Sequence, residues 1–192
     1  RERIIIIYHN FMSIKASECE FGWKAIDFSL LSVDGKYHSF YASAGINGTV
    51  LVFMCNHCPY VVAIAERLSF EAIELRKIGV NTVAIMSNDV TSYPEDSFEN
   101  MKKFSKENNF TFPYLYDETQ EVAKAYGAVC TPDFFGYNKN LELQYRGRLD
   151  NAGISGEVLK DKELLNAFHQ IIKTGNGPEE QKPSMGCSIK WK

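Results

Sequence analysis

The stretch Thr49-Val50-Leu51-Val52-Phe53-Met54, followed by Cys55-Asn56-His57-Cys58-Pro59, constrains this 192-residue chain more than any other. Residues 49–54 form a short apolar run, which reads as a strand buried on both faces. After Pro59, apolar residues at Val61, Ala65, Leu68, Ala72 and Leu75 recur in steps of four and three, the mark of one face of a helix. Gly79 suits the residue just past that helix, and residues 80–86 give a second continuous apolar strand. Strand, crossover helix and strand in this order predict a right-handed parallel unit. The two thiols then lie at the carboxyl end of a strand, where open α/β sheets place their ligands. They also lie at a helix N-terminus, whose free N–H groups and dipole favour a thiolate.

The remaining elements follow from local signals. Residues 25–32 and 37–41 read as an N-terminal hairpin around Asp34-Gly35. Pro94 with Glu95 and Asp96 opens a second helix, with Phe98, Met101 and Phe104 as its buried stripe. Residues 112–116 give a short strand, and Asp117 with Gln120 resembles a capping box for a helix closed by Gly127. Residues 134–137 and 141–148 are strands joined through Asn138-Lys139-Asn140. Asp161 is expected to cap a last helix carrying Leu164, Leu165, Phe168, Ile171 and Ile172. The order is that of an α/β sandwich with a mixed sheet. One domain is expected over residues 23–174, preceded by an extension (1–22) and followed by a tail (175–192). Residues 1–11 read equally as sequence upstream of Met12 or as an added edge strand. The tail has no helical or strand period, although it carries Cys187, Ile189 and Trp191.

Charge and cysteine usage narrow the function classes. A net charge of −3 gives no electrostatic case for nucleic acid or an anionic membrane surface. No apolar run approaches the roughly 20 residues of a membrane helix, and a cytoplasmic location is expected. The five cysteines are odd in number with a single close pair, which argues against a secreted disulfide framework.

A Cys-x-x-Cys pair after a strand is specified for dithiol redox chemistry. Cys55 comes first and is expected to be the more exposed, attacking thiolate, with Cys58 resolving the mixed disulfide. His57, between them, is a candidate for stabilising the thiolate electrostatically. Zinc or copper is the competing reading, in which Cys130, Cys187 or His57 would complete a ligand set, because only one close cysteine pair exists. No metal site and no cofactor is assigned. Thr131-Pro132 precedes a strand; a cis bond there would leave the Thr131 backbone free to pair with a substrate chain, whereas an ordinary trans proline would only start the strand.

Cys55-Asn56-His57-Cys58-Pro59-Tyr60-Val61, Cys130-Thr131-Pro132-Asp133-Phe134-Phe135, Arg146-Gly147-Arg148-Leu149-Asp150 and Gly186-Cys187-Ser188-Ile189-Lys190-Trp191 together resemble a known group. They are similar to the thioredoxin-fold redoxins, and more closely to the peroxiredoxin-like branch of the alkyl hydroperoxide reductase/thiol-specific antioxidant family. The resemblance covers residues 22–192. It implies a thioredoxin-like three-layer sandwich, Cys55 and Cys58 as the redox pair, and Pro132, preceded by Thr131, as a cis-proline facing them. It implies as partners a protein or small-molecule disulfide, or a hydroperoxide, and a dithiol protein as electron donor. Where such peroxidases carry Pro-x-x-x-Thr/Ser-x-x-Cys, this chain has Leu51 and Cys55 in the proline and hydroxyl places if Cys58 is the peroxidatic residue. Thiol–disulfide exchange is therefore the expected activity, with thiol peroxidase and metal-binding module or metallochaperone as alternatives. Arg146 and Arg148 are candidates for holding a peroxide. Cys130 is either a third redox thiol or a buried small residue, and Cys187 either an extra resolving thiol or part of a packed tail.

Overall fold

The computed structural model describes residues 13–155 and 161–192; the expectation for residues 1–11 lies outside them. Its strands are β1 (Ser13–Lys15), β2 (Ser29–Ser32), β3 (Tyr37–Ser39), β4 (Gly48–Phe53), β5 (Val80–Met86), β6 (Tyr114–Tyr116), β7 (Cys130–Thr131), β8 (Asp133–Asn138), β9 (Leu143–Gly147) and β10 (Met185–Ser188). Its helices are α1 (Phe40–Ser43), α2 (Pro59–Lys77), α3 (Phe98–Glu107), α4 (Glu121–Tyr126) and α5 (Glu163–Thr174).

Among the described residues, seven strands form one mixed sheet in the order β3-β2-β6-β5-β4-β8-β9. β4 runs parallel to β5 and antiparallel to β8, so it is paired on both edges. Side-chain alternation along β4 splits the core into two layers. Val50 and Val52 join α2 and α5 residues such as Leu68, Leu75 and Phe168, while Leu51 and Phe53 join Phe40 of α1 and Tyr126 of α4. A central strand covered on both faces must be apolar at every position, which is why residues 49–54 read as an unbroken run. This is the thioredoxin-like three-layer α/β sandwich expected from the sequence.

The structure corrects several local expectations. The second hairpin strand stops at Ser39, because the Ser39 hydroxyl accepts the Ala42 N–H and caps α1. Pro94–Asp96 is a separate 3-10 turn, and Ser97 restarts the chain by capping α3 through the Asn100 N–H. Asp117 accepts the N–H groups of Val122 and Ala123 at the start of α4, but Gln120 reaches back to no backbone there. Its amide donates instead to the carbonyls of Ser87 and Lys190. Asp161 does not cap α5; it accepts the Asn166 side-chain amide at 2.8 Å. The tail supplies β10, which lies between β1 and β7 in a second, three-stranded sheet. No described helix is long and apolar enough to cross a membrane.

Glu71 of α2 is buried against α5, where its carboxylate accepts the Leu165 N–H at 3.1 Å. Burial pushes its pKa from 4.5 up to about 7. Because the folded value is the higher, the associated stability is complete below pH 4.5 and is lost as pH rises through about 7. Glu71→Gln keeps the acceptor and removes the charge. It is expected to stabilise the fold at pH 8 by on the order of 2 kcal/mol and to be nearly neutral at pH 4, as read by thermal melts at the two pH values.

Candidate active site

β4 carries the chain to the centre of the sheet edge and α2 takes it away. Met54 N–H still donates to Ile85 O at 2.9 Å, and then the backbone leaves the sheet. Cys58 is the N-cap of α2, with Pro59 at the first helical position. Its carbonyl accepts the Val61 and Val62 N–H groups, and its side chain sits at the positive end of the helix.

Asp96 clamps the loop between the cysteines. One carboxylate oxygen accepts the Asn56 N–H at 2.8 Å and the other the Asn88 amide at 2.9 Å. Tyr114 Oη donates to Asn56 Oδ1 at 2.8 Å. His57 Nδ1 faces Asp96 at 2.8 Å as a charge contact, off the line of a good hydrogen bond, and its ring stacks on Tyr93. The Asp96 carboxylate raises the pKa of His57 against the opposing effect of burial.

Two further segments converge on the sulfurs. The Thr131–Pro132 peptide bond is cis. Thr131 Oγ1 lies 3.7 Å from Cys55 Sγ, and Thr131 O lies 3.4 Å from Cys58 Sγ. β10 pairs antiparallel with β7, Cys187 opposite Thr131, and sets Cys187 Sγ 2.8 Å from Cys58 Sγ. Cys55, Cys58 and Cys187 are all free thiols and all buried.

The surroundings of the two sulfurs shift them in opposite directions. Cys55 and Cys58 are equally covered, at 1% exposure each, so position in the motif does not make Cys55 the accessible one. The Cys58 pKa is pulled down to about 5, first by the Cys55 thiol, with Cys187 and Thr131 adding donors, against burial. Burial, the Cys58 sulfur and the Asp96 carboxylate push Cys55 well above its ordinary value. These opposite shifts favour Cys58 over Cys55 as the thiolate.

The other sequence candidates are placed as follows. Arg146 ion-pairs with buried Asp133 at 2.9 Å, donates to Gly127 O and stacks on Phe135. Arg148 is held by Glu163 through two contacts, of 2.7 and 2.9 Å. Among the described residues, the hydrogen bonds of both guanidinium groups go to carboxylates and a backbone carbonyl rather than to Cys55, Cys58 or Cys187. Cys130 is fully buried, with its thiol near Pro132 O, and burial raises its pKa. Cys55 Sγ, His57 Nδ1 and an Asp96 oxygen lie within 4.8 Å of one another, a grouping that could hold a metal ion. Both Asp96 oxygens already serve the loop and Asn88, which fits a clamp better than a free ligand. Asp96 itself escaped sequence reasoning, where it counted only as a first-turn acid. Gly186, preceding Cys187, was the available signal for a close approach of the tail.

The fold agrees with the comparisons. The model of the AhpC/TSA family matches residues 21–150, well over half of the chain. The chain belongs to the AhpC/TSA family. An uncharacterized conserved protein from Geobacillus kaustophilus shares 44% identity and a TM-score of 0.87, over 94% of this chain and 96% of that one. At lower identity the redoxin shares its fold with a secreted disulfide oxidoreductase of Mycobacterium tuberculosis homologous to E. coli DsbE. That pair has 21% identity and a TM-score of 0.52, over 61% of this chain and 80% of that one. Peroxidoxin BcpB from M. tuberculosis matches with 18% identity and a TM-score of 0.55, over 80% and 94%. No curated protein matches the chain.

Proposed function

We propose that this redoxin is a thiol–disulfide oxidoreductase in which Cys58 attacks and Cys55 resolves. The observation that carries the reading is the place of the Cys58 sulfur at the N-terminus of α2, 2.8 Å from Cys187 Sγ, where neighbouring thiols pull its pKa below the ordinary value. A lowered pKa favours the anion without a general base. Its attack on a disulfide gives a mixed disulfide and one free thiol; attack of a neighbouring thiol on Cys58 Sγ then releases the second thiol, and the pair ends as a Cys55–Cys58 disulfide. A cleft of about 170 Å³ beside Pro132, lined by Tyr60, Ile64, Phe134 and Met185, would take an apolar group flanking the reacting sulfur.

Disulfide exchange is favoured over peroxide reduction because Cys55 occupies the place of the hydroxyl residue and both candidate arginines are engaged by carboxylates. With both guanidinium groups committed to carboxylates and the Thr131 hydroxyl set beside Cys55, a peroxide at Cys58 lacks the cation that would polarise its O–O bond. The test supplies a dithiol donor and measures turnover of a protein disulfide and of a hydroperoxide side by side. Faster disulfide turnover is expected. Rapid peroxide consumption with an inert disulfide would refute the reading.

A further inference from the structure

The dithiol reading leaves a third thiol beside the reactive sulfur unexplained. Cys187 Sγ stands 2.8 Å from Cys58 Sγ, and the strand that carries it is fixed on both sides. Before it, Ser184 Oγ donates to Pro132 O at 2.6 Å. After it, Ile189 is buried and its N–H donates to Val129 O at 3.0 Å. The Lys190 N–H donates to Asn88 Oδ1 at 2.9 Å, and its carbonyl accepts from Asp89 N–H and the Gln120 amide. Gly186 permits this seating: a Cβ there would stand 1.8 Å from Thr131 O. Cys187 is therefore held at the reacting atom rather than carried on a loose arm.

We propose that Cys187 is a third redox thiol, which takes the disulfide from Cys58 before Cys55 does. The inference rests on Cys58 being the attacking thiolate. In the first step the Cys58 thiolate bonds one sulfur of a substrate disulfide; the S–S bond breaks, and the departing thiolate takes a proton from water. In the second, Cys187 Sγ bonds Cys58 Sγ, the mixed disulfide breaks, and the Cys187 proton passes to the leaving sulfur. Two electrons have then moved from Cys58 and Cys187 to the substrate. In the third, Cys55 Sγ bonds Cys58 Sγ and its proton passes to Cys187, leaving a Cys55–Cys58 disulfide with no further electron change.

The order follows from what surrounds each thiol once the charge on Cys58 is spent. Cys187 is raised to about 12 by burial and then by its contact with Cys58, with Lys190 opposing. Formation of the mixed disulfide removes the Cys58 contribution and leaves the Lys190 ammonium. Cys55 remains the more deeply buried thiol and still faces the Asp96 carboxylate.

The full-length protein and its Cys55→Ser and Cys187→Ser variants are treated with one equivalent of glutathione disulfide, quenched in acid, alkylated and peptide-mapped. Cys55→Ser is expected to form a Cys58–Cys187 disulfide and release both glutathiones. Cys187→Ser is expected to hold its Cys58–glutathione adduct roughly tenfold longer than wild type. A stable adduct with free Cys187 in the Cys55→Ser protein overturns the proposal, as does unchanged glutathione release from folded Cys187→Ser. Should Cys187→Ser fail to fold, the Cys55→Ser arm decides alone. If wild type forms neither adduct nor disulfide, the dithiol reading itself falls and takes this inference with it.

Discussion

Cys58→Ser is expected to abolish reduction of a protein disulfide, by at least about a thousandfold in kcat/KM, because it removes the sulfur that attacks. Cys55→Ser is expected to behave differently. It retains the Cys58 and Cys187 sulfurs and is expected to release both thiol products, but to stop at a Cys58–Cys187 disulfide. The double variant Cys55→Ser/Cys187→Ser leaves no neighbouring thiol to displace the substrate, so it is expected to trap substrate covalently on Cys58. Non-reducing electrophoresis with mass mapping reads the trapped species. The opposite pattern, with adducts on Cys55 of a Cys58→Ser protein, would restore the order suggested by position in the motif.

Gly186→Ala has the second largest expected effect. The added methyl would meet Thr131 O at 1.8 Å and Thr131 C at 2.5 Å. Both are backbone atoms held in β7, so β10 has to move. Ladder hydrogen bonds and the burial of Ile189 and Cys187 are then lost together, a destabilisation of about 2–4 kcal/mol. Cys58 loses the Cys187 donors, and its pKa is expected to rise from about 5 toward its ordinary 9.0. Amide exchange at residues 185–188 should speed up, and the thiolate absorbance should titrate at higher pH. Unchanged exchange and an unchanged titration would show that β10 is not seated through Gly186.

The parts of the fold that were legible were those with local signals. The apolar run of β4, the helical period of α2 and the continuous β5 each declare themselves within about 20 residues, and each formed close to the expected bounds. β10 did not declare itself, because Met185-Gly186-Cys187-Ser188 is short and mixed in polarity. It is a strand only through pairing with β1 and β7, which are distant in sequence. Ser39 and Ser97 misled for another reason: each caps a helix where the apolar pattern alone runs on.

The site divides in the same way. The thiol pair and its place at a helix start were legible, since a strand, a Cys-x-x-Cys and a helix are contiguous. Which thiol is favoured as the anion was not, because the shifts depend on Thr131 and Cys187, brought beside Cys58 by tertiary pairing. Asp96 was hidden for the same reason. Its partners Asn56, His57 and Asn88 come from two other loops, and nothing near Pro94 announces them.

Cys58 is proposed to carry the thiolate. The direct measurement is the pH dependence of alkylation of the reduced protein by iodoacetamide, with the modified cysteine identified by peptide mapping. Cys58 is expected to be modified first, with a midpoint well below its ordinary 9.0. Modification of Cys55 first, or a Cys58 midpoint near its ordinary 9.0, would contradict it.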